Sequence, residues 1–239
     1  MYFSGHLNEI DPIETESWEN KLFLTFDNDW AHDDIIKDTV DLIEGSGIHA
    51  TFFVTDEIPQ LDRIRANKNF SLGIHPNFRP LLIGNGTNIH DEIERCMQIV
   101  PEAISCRTHG IIQGGDISRA LIERGIKFES NESIPFHSGI HLKPYQLKGP
   151  LIRLPYFWAD EHEWVYIRET NFKNILEQFN FFVFDFHPIH VFLNTENSSR
   201  YDMTKGIHKN PKELIKHRFE GRGTRTLLLE LLALHRKQV

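Results

Sequence analysis

The chain has 239 residues, 40% hydrophobic and 25% charged, enough apolar material for a sizeable core and too much for a disordered chain. Its 26 basic and 34 acidic side chains leave a formal charge of −8, so no general attraction draws it to nucleic acid or an anionic membrane. No apolar run reaches the 18 residues that a bilayer span needs, the acidic first twenty residues are unlike a signal peptide, and the sequence reads as cytoplasmic without membrane insertion. Cys96 and Cys106 have neither CxxC spacing nor the density of a disulfide scaffold, and are expected as reduced thiols. The length suits one large α/β domain over residues 1–239.

The elements alternate along the chain. "LFLTF" (22–26) predicts a strand, "DDIIKDTVDLIEGSG" a helix with acids in its first turn and a glycine stop, and "HATFFV" (49–54) the next strand. The pattern continues with a strand at "FSLGIH" (70–75), a helix near 88–99, a strand at "AISCR" (103–107), a helix near 115–124 and a strand at "KFES" (127–130). After a stretch 131–150 expected as an irregular loop come a strand "LIRLPYF" (151–157), a helix near 171–178 and a strand "FNFFVFDFH" (179–187). A helical tail follows over about 210–239, where the apolar "TLLLELLALHR" is expected to cover the sheet. Strands with helical crossovers imply a parallel sheet, closed as a barrel or open.

Residues i and i+2 of a strand share a face, and that spacing recurs at strand ends. It pairs Asp27 with Asp29 if the chain stays extended, His75 with Asn77, Arg107 with His109, and Asp185 with His187. The carboxyl ends of parallel strands open on one side, where α/β folds bind ligands, so these pairs should converge. Carboxylate with imidazole suits a borderline divalent ion such as zinc, with nickel, cobalt, manganese or iron as alternatives. Hydrolysis is the natural use of such a site: the metal polarises a carbonyl, a carboxylate takes a proton and a histidine protonates the leaving group.

"LTFDND", "ATFFV", "LGIHPNF", "CRTHG" and "FDFHPIHVFLN" resemble the successive motifs of the polysaccharide deacetylase superfamily, the NodB-homology or carbohydrate esterase family 4 fold. They are most similar to its WbmS-like branch, associated with O-antigen biosynthesis. The likeness runs from about residue 20 to 195. It implies a distorted (β/α)7 barrel and metal-dependent removal of an N- or O-acetyl group from a sugar or polysaccharide precursor. By position it implies Asp27 as general base, Asp29 and His75 as metal ligands, Arg107 as the arginine that steadies the base, and His187 as general acid.

Two features depart from the family pattern. Asn28 separates Asp27 from Asp29, which leaves their roles exchangeable, and Arg79 stands four residues after His75, where the family has a second histidine. A guanidinium cannot ligate a cation. His109, Asn77, His190 and His90 are the candidates to complete the site, His109 first. Asn77, Trp158 and His190 are expected to touch substrate, although Trp158, like Tyr156 and Phe157, could instead pack in the core. Asp185 is expected to orient His187, while Asp33 and Asp34 suffice for the helix start. A glycosidase, a C–N hydrolase or an inactive carbohydrate-binding relative are the alternative readings. The sequence does not speak to oligomeric state.

Overall fold

The computed structural model describes residues 2–86, 88–166 and 169–235. Its strands are β1 (Phe3–Ser4), β2 (Lys21–Asp27), β3 (Ala50–Val54), β4 (Phe70–Ile74), β5 (Ser105–Cys106), β6 (Phe128–Glu129), β7 (Tyr145–Lys148), β8 (Leu151–Arg153), β9 (Trp158–Ala159) and β10 (Phe182–Phe186). They form one sheet in the order β7-β8-β6-β5-β4-β3-β2-β10-β9, with β1 beside the start of β2. Every pairing is parallel except that of β7 with β8. The barrel expected from the family resemblance takes the form of a curled half-barrel, because among the described residues no ladder joins its ends, β7 and β9.

The central strands are apolar on both faces because helices cover both. Every residue of β3 and β10 is buried, the pattern of a parallel strand between layers. Phe26 stacks on Phe52 at 5.0 Å between ring centres, and Phe184 meets Phe172 edge to face at 5.2 Å. Such aromatic pairs contribute about 0.5–1.5 kcal/mol each beyond the area they bury.

The covering helices are α1 (Asp33–Glu44), α2 (Leu61–Ala66), α3 (Arg79–Leu82), α4 (Ile89–Ile99), α5 (Gly115–Glu123), α6 (His162–Val165), α7 (Phe172–Gln178), α8 (Pro188–Leu193), α9 (Ser198–Thr204), α10 (Pro211–Leu214) and α11 (Thr224–Leu234). In α1, Ile35, Ile36, Thr39, Val40 and Ile43 form the buried stripe, the spacing of an amphipathic helix. His32 caps it by accepting the Asp34 N–H at 3.2 Å. The wholly buried α8 packs against α1 and α11, and α11 also meets α7. The expected tail is therefore a cover over α7 and α8, although its last residues, 236–239, lie outside the described residues. No described helix is long and apolar enough to cross a membrane.

Two segments differ from the sequence reading. The strand expected over 151–157 stops at Arg153 and resumes as β9 at Trp158, since Pro155 has no N–H to give a ladder. The expected loop 131–150 contains β7, which turns back through Gly149 (φ 51°) to pair antiparallel with β8.

Register brings the strand ends together. Asp27 lies opposite Phe53, Phe53 opposite Gly73, and Ile74 opposite Cys106. His75 and Arg107 are thus each the first residue past neighbouring strands. Gly73 is required here, because a Cβ would lie 2.6 Å from the Phe53 ring and from the Ser105 hydroxyl.

Candidate active site

The cleft begins where β2 ends. Asp27 is its last residue, and Asp29 takes a left-handed conformation (φ 43°) that an aspartate tolerates better than most side chains. The two carboxylates therefore converge through a reversal of the chain, which corrects the expectation of an extended strand with a shared face. Asp29 Oδ1 lies 2.9 Å from His109 Nδ1 and 3.2 Å from His75 Nε2. Asp27 Oδ2 is 3.8 Å from the same His75 nitrogen. Burial resists ionisation of Asp29, yet the His109 and His75 contacts hold its carboxyl far below the usual range. His75 is buried, and among the described residues neither of its ring nitrogens makes a hydrogen bond. Burial disfavours its charged form, but Asp27 and Asp29 outweigh that and raise its pKa.

Arg107 supports the floor from below. Its guanidinium is sandwiched between the rings of Phe53 and Tyr156, at 4.7 and 4.6 Å. Nη1 donates to Asp27 Oδ1 at 3.0 Å, to Asp185 Oδ1 at 2.5 Å and to Thr25 Oγ1 at 2.8 Å. Nε and Nη2 donate to the Ser130 carbonyl and hydroxyl. One guanidinium thus serves two buried carboxylates. Burial pushes Asp185 up to about 8 despite Arg107, with Asp27 adding to the rise.

His187 follows β10 and faces the same space. Its Nδ1 meets Asp160 Oδ1 at 3.0 Å, and its backbone N–H donates to Asp160 Oδ2 at 2.7 Å. Asp160, the residue after β9, is the partner that orients this ring. Asp185, expected in that role, is committed to Arg107 because it ends deeper in the sheet. Nε2 of His187 is left pointing inward, 4.0 Å from Asp29 Oδ2. Burial opposes its charge, but the adjoining Asp160, helped by Asp185 and Asp29, carries the His187 pKa well above its ordinary value. Burial takes His190 the other way, down to about 4, and its Nδ1 lies 3.1 Å from the Thr195 hydroxyl.

Asp27, Asp29, His75, His109, Asp185, His187 and His190 line one cleft of about 580 Å³. Asn77 does not join them: its Oδ1 accepts the Arg79 N–H at 3.0 Å. Trp158 is wholly buried, its indole N–H given to the Thr170 hydroxyl at 2.9 Å, so its ring packs in the core and cannot meet substrate. The aromatic walls are instead Tyr156, Trp164, Tyr166 and Tyr201. His90 lies on α4, 3.8 Å from Glu123, outside the cleft lining.

Among the described residues, three clusters bring ligand atoms within 4.8 Å of one another: Asp29 with His75 and His109, Asp160 with His187 and His190, and Asp27 with Asp185 and His187. In the second, both Asp160 oxygens already accept from His187. In the third, Arg107 occupies both carboxylates. The first, like the second, offers two imidazoles and a carboxylate, a donor set suited to zinc or a similar ion, but it alone of the three includes a histidine, His75, whose ring nitrogens lack any hydrogen bond among the described residues.

A sequence model of WbmS-like polysaccharide deacetylases matches residues 24–205. The chain belongs to this WbmS-like polysaccharide deacetylase family. It is 40% identical, over 97% of either chain and with a TM-score of 0.92, to a polysaccharide deacetylase of Bordetella bronchiseptica involved in O-antigen biosynthesis. A polysaccharide deacetylase of Mycobacterium smegmatis aligns with 70% of this chain and 76% of its own at 16% identity and a TM-score of 0.47. No curated protein matches the chain. Within this WbmS-like chain, sequence reasoning missed Asp160, buried behind His187, and the cleft-lining Glu161, His162, Trp164, Tyr166 and Tyr201. Asp160 follows a strand of two residues, too short to give a periodic signal.

Proposed function

We propose that the protein removes an acetyl group from an acetylated sugar on the way to a bacterial surface polysaccharide, using one divalent ion, zinc in the first place. The family and the O-antigen role of the Bordetella relative supply the substrate class. The observation that carries the metal dependence is the cluster of Asp29, His75 and His109, in which a buried histidine keeps both ring nitrogens unbonded. Asp29, His75 and His109 would hold the ion, whose chemistry is to polarise the acetyl carbonyl and acidify the attacking water.

The remaining groups divide the proton transfers. Arg107 fixes Asp27 through Oδ1, which leaves Oδ2, on the His75 side, to accept a proton from the attacking water. Asp160 fixes His187 through Nδ1, which leaves Nε2 to give a proton to the departing sugar nitrogen or oxygen. A histidine whose pKa is raised is protonated when this is needed. His190, kept neutral by burial, contacts the substrate, while Trp164 and Tyr166 offer faces on which a sugar ring can stack.

The test is acetate release from N-acetylated and O-acetylated sugars by zinc-loaded protein, with a chelator-treated control. The expected result is release that chelation abolishes. Stoichiometric metal without acetate from either class would contradict deacetylation and favour another hydrolysis on the same scaffold.

A further inference from the structure

Arg79 lines the cleft, is exposed, and among the described residues its guanidinium makes no hydrogen bond or ion pair; only its backbone N–H is engaged, by Asn77. It lies flat against the backbone of Gly110, where a Cβ would come within 3.0 Å of Nη2 and 3.2 Å of Nε. Gly110 is left-handed (φ 66°) and directly follows His109 of the ligand cluster. The side chain is thus seated beside the reaction centre with its donors unspent.

The other charged groups of the cleft are spoken for. Arg107 is committed to Asp27 and Asp185, and His187 to Asp160. Asp29 faces His75 and His109, and burial raises the pKa of Glu161. An arginine fork matches the two oxygens of a carboxylate or phosphate. We infer that Arg79 recognises an anionic group on the substrate, so that the preferred sugar carries a carboxylate or a phosphate as well as its acetyl group. This rests on the deacetylase reading for the acetylated sugar, and adds to it the charge that the substrate must bear.

Binding, measured by calorimetry on zinc-loaded protein, tests this apart from turnover. The probes are N-acetylglucosamine, its uronic acid and its 1-phosphate, with wild type and Arg79→Gln. Wild type is expected to bind at least one anionic sugar more tightly than the neutral one by about tenfold or more, which is about 1.4 kcal/mol. Arg79→Gln is expected to bring that ratio close to one with zinc content unchanged, and Arg79→Lys, which keeps the charge without the fork, to hold it above one. Whether the uronic acid or the phosphate shows the preference identifies the source of the anion. Equal affinity for all three sugars in wild type, or a preference that survives in Arg79→Gln, would overturn the inference. If binding behaves as expected while no acetate is released, the deacetylase reading fails and the anion site stands.

Discussion

Two places in the cleft set a carboxylate against imidazole, and they are built differently. Asp160 is wholly buried, both its oxygens are filled by one histidine, and the result is a ring aimed in one direction. Asp29 is a quarter exposed, with side-chain accessibility of 24%, is itself left-handed, and faces two histidines, one of which has no hydrogen bond to its ring among the described residues. A saturated pair orients; an unsaturated set has ligand capacity to spare. On the proposed reading, this difference gives His187 the proton transfer and His75 the ion.

The largest effects should come from the groups that move protons. Asp27→Asn and His187→Ala should each lower turnover by at least ~10²-fold, the lower range for a positioned general base or acid, while zinc content, read by elemental analysis, stays near wild type. If Asp27→Asn instead loses the ion, Asp27 is a ligand and Asp29 the base, and the contrast between the two carboxylate sites collapses.

Next in size is the orienting acid. Asp160→Asn should cost roughly 10–100-fold in turnover, as loss of a positioning partner does, and should shift the alkaline limb of the kcat profile, where His187 loses its proton, to lower pH. That carboxylate is the leading support for the raised His187 pKa against the opposing effect of burial, so His187 should lose its proton earlier without it. An unmoved limb would show that Asp160 is only a structural anchor.

A smaller effect concerns stability. His162 is buried, accepts the Ala159 N–H and lies 3.3 Å from the Ser133 hydroxyl, and burial lowers its pKa from 6.5 to about 4. Because the folded pKa is depressed, the unfolded chain binds the proton first. The associated stability is present above pH 6.5 and is lost as pH falls toward 4. Denaturant unfolding at pH 7 and pH 5 should show a loss of about 1–2 kcal/mol from this site, reduced in His162→Gln. An identical pH difference in that variant would assign the acid sensitivity elsewhere.

The sheet was legible because parallel strands covered on both faces are written as apolar runs, and "LFLTF", "ATFFV" and "FNFFVFDF" have no other reading of comparable quality. The placement of Asp27, His75, Arg107, His109 and His187 around one opening was legible for the same reason, since each falls at a strand end. What failed was anything decided by local backbone or by partner choice. The i, i+2 rule presumes an extended chain, and Asp29 is left-handed. Face sharing paired Asp185 with His187, but a buried arginine just past β5, four places from β10 in the sheet, competes more strongly for a buried carboxylate than an imidazole does. β9 is two residues long, too short for periodicity, so neither Asp160 at its end nor the burial of Trp158 could be read from "YFWAD".

The contrast between the two carboxylate sites is tested most directly by the zinc content of purified wild type, His75→Ala and Asp160→Asn, measured side by side by elemental analysis. The account predicts one ion per chain in wild type, most of it lost in His75→Ala, and near-full occupancy in Asp160→Asn, with all three proteins folded. Full occupancy in His75→Ala, or an ion lost from Asp160→Asn and kept by His75→Ala, would place the metal in the wrong cluster and contradict the assignment.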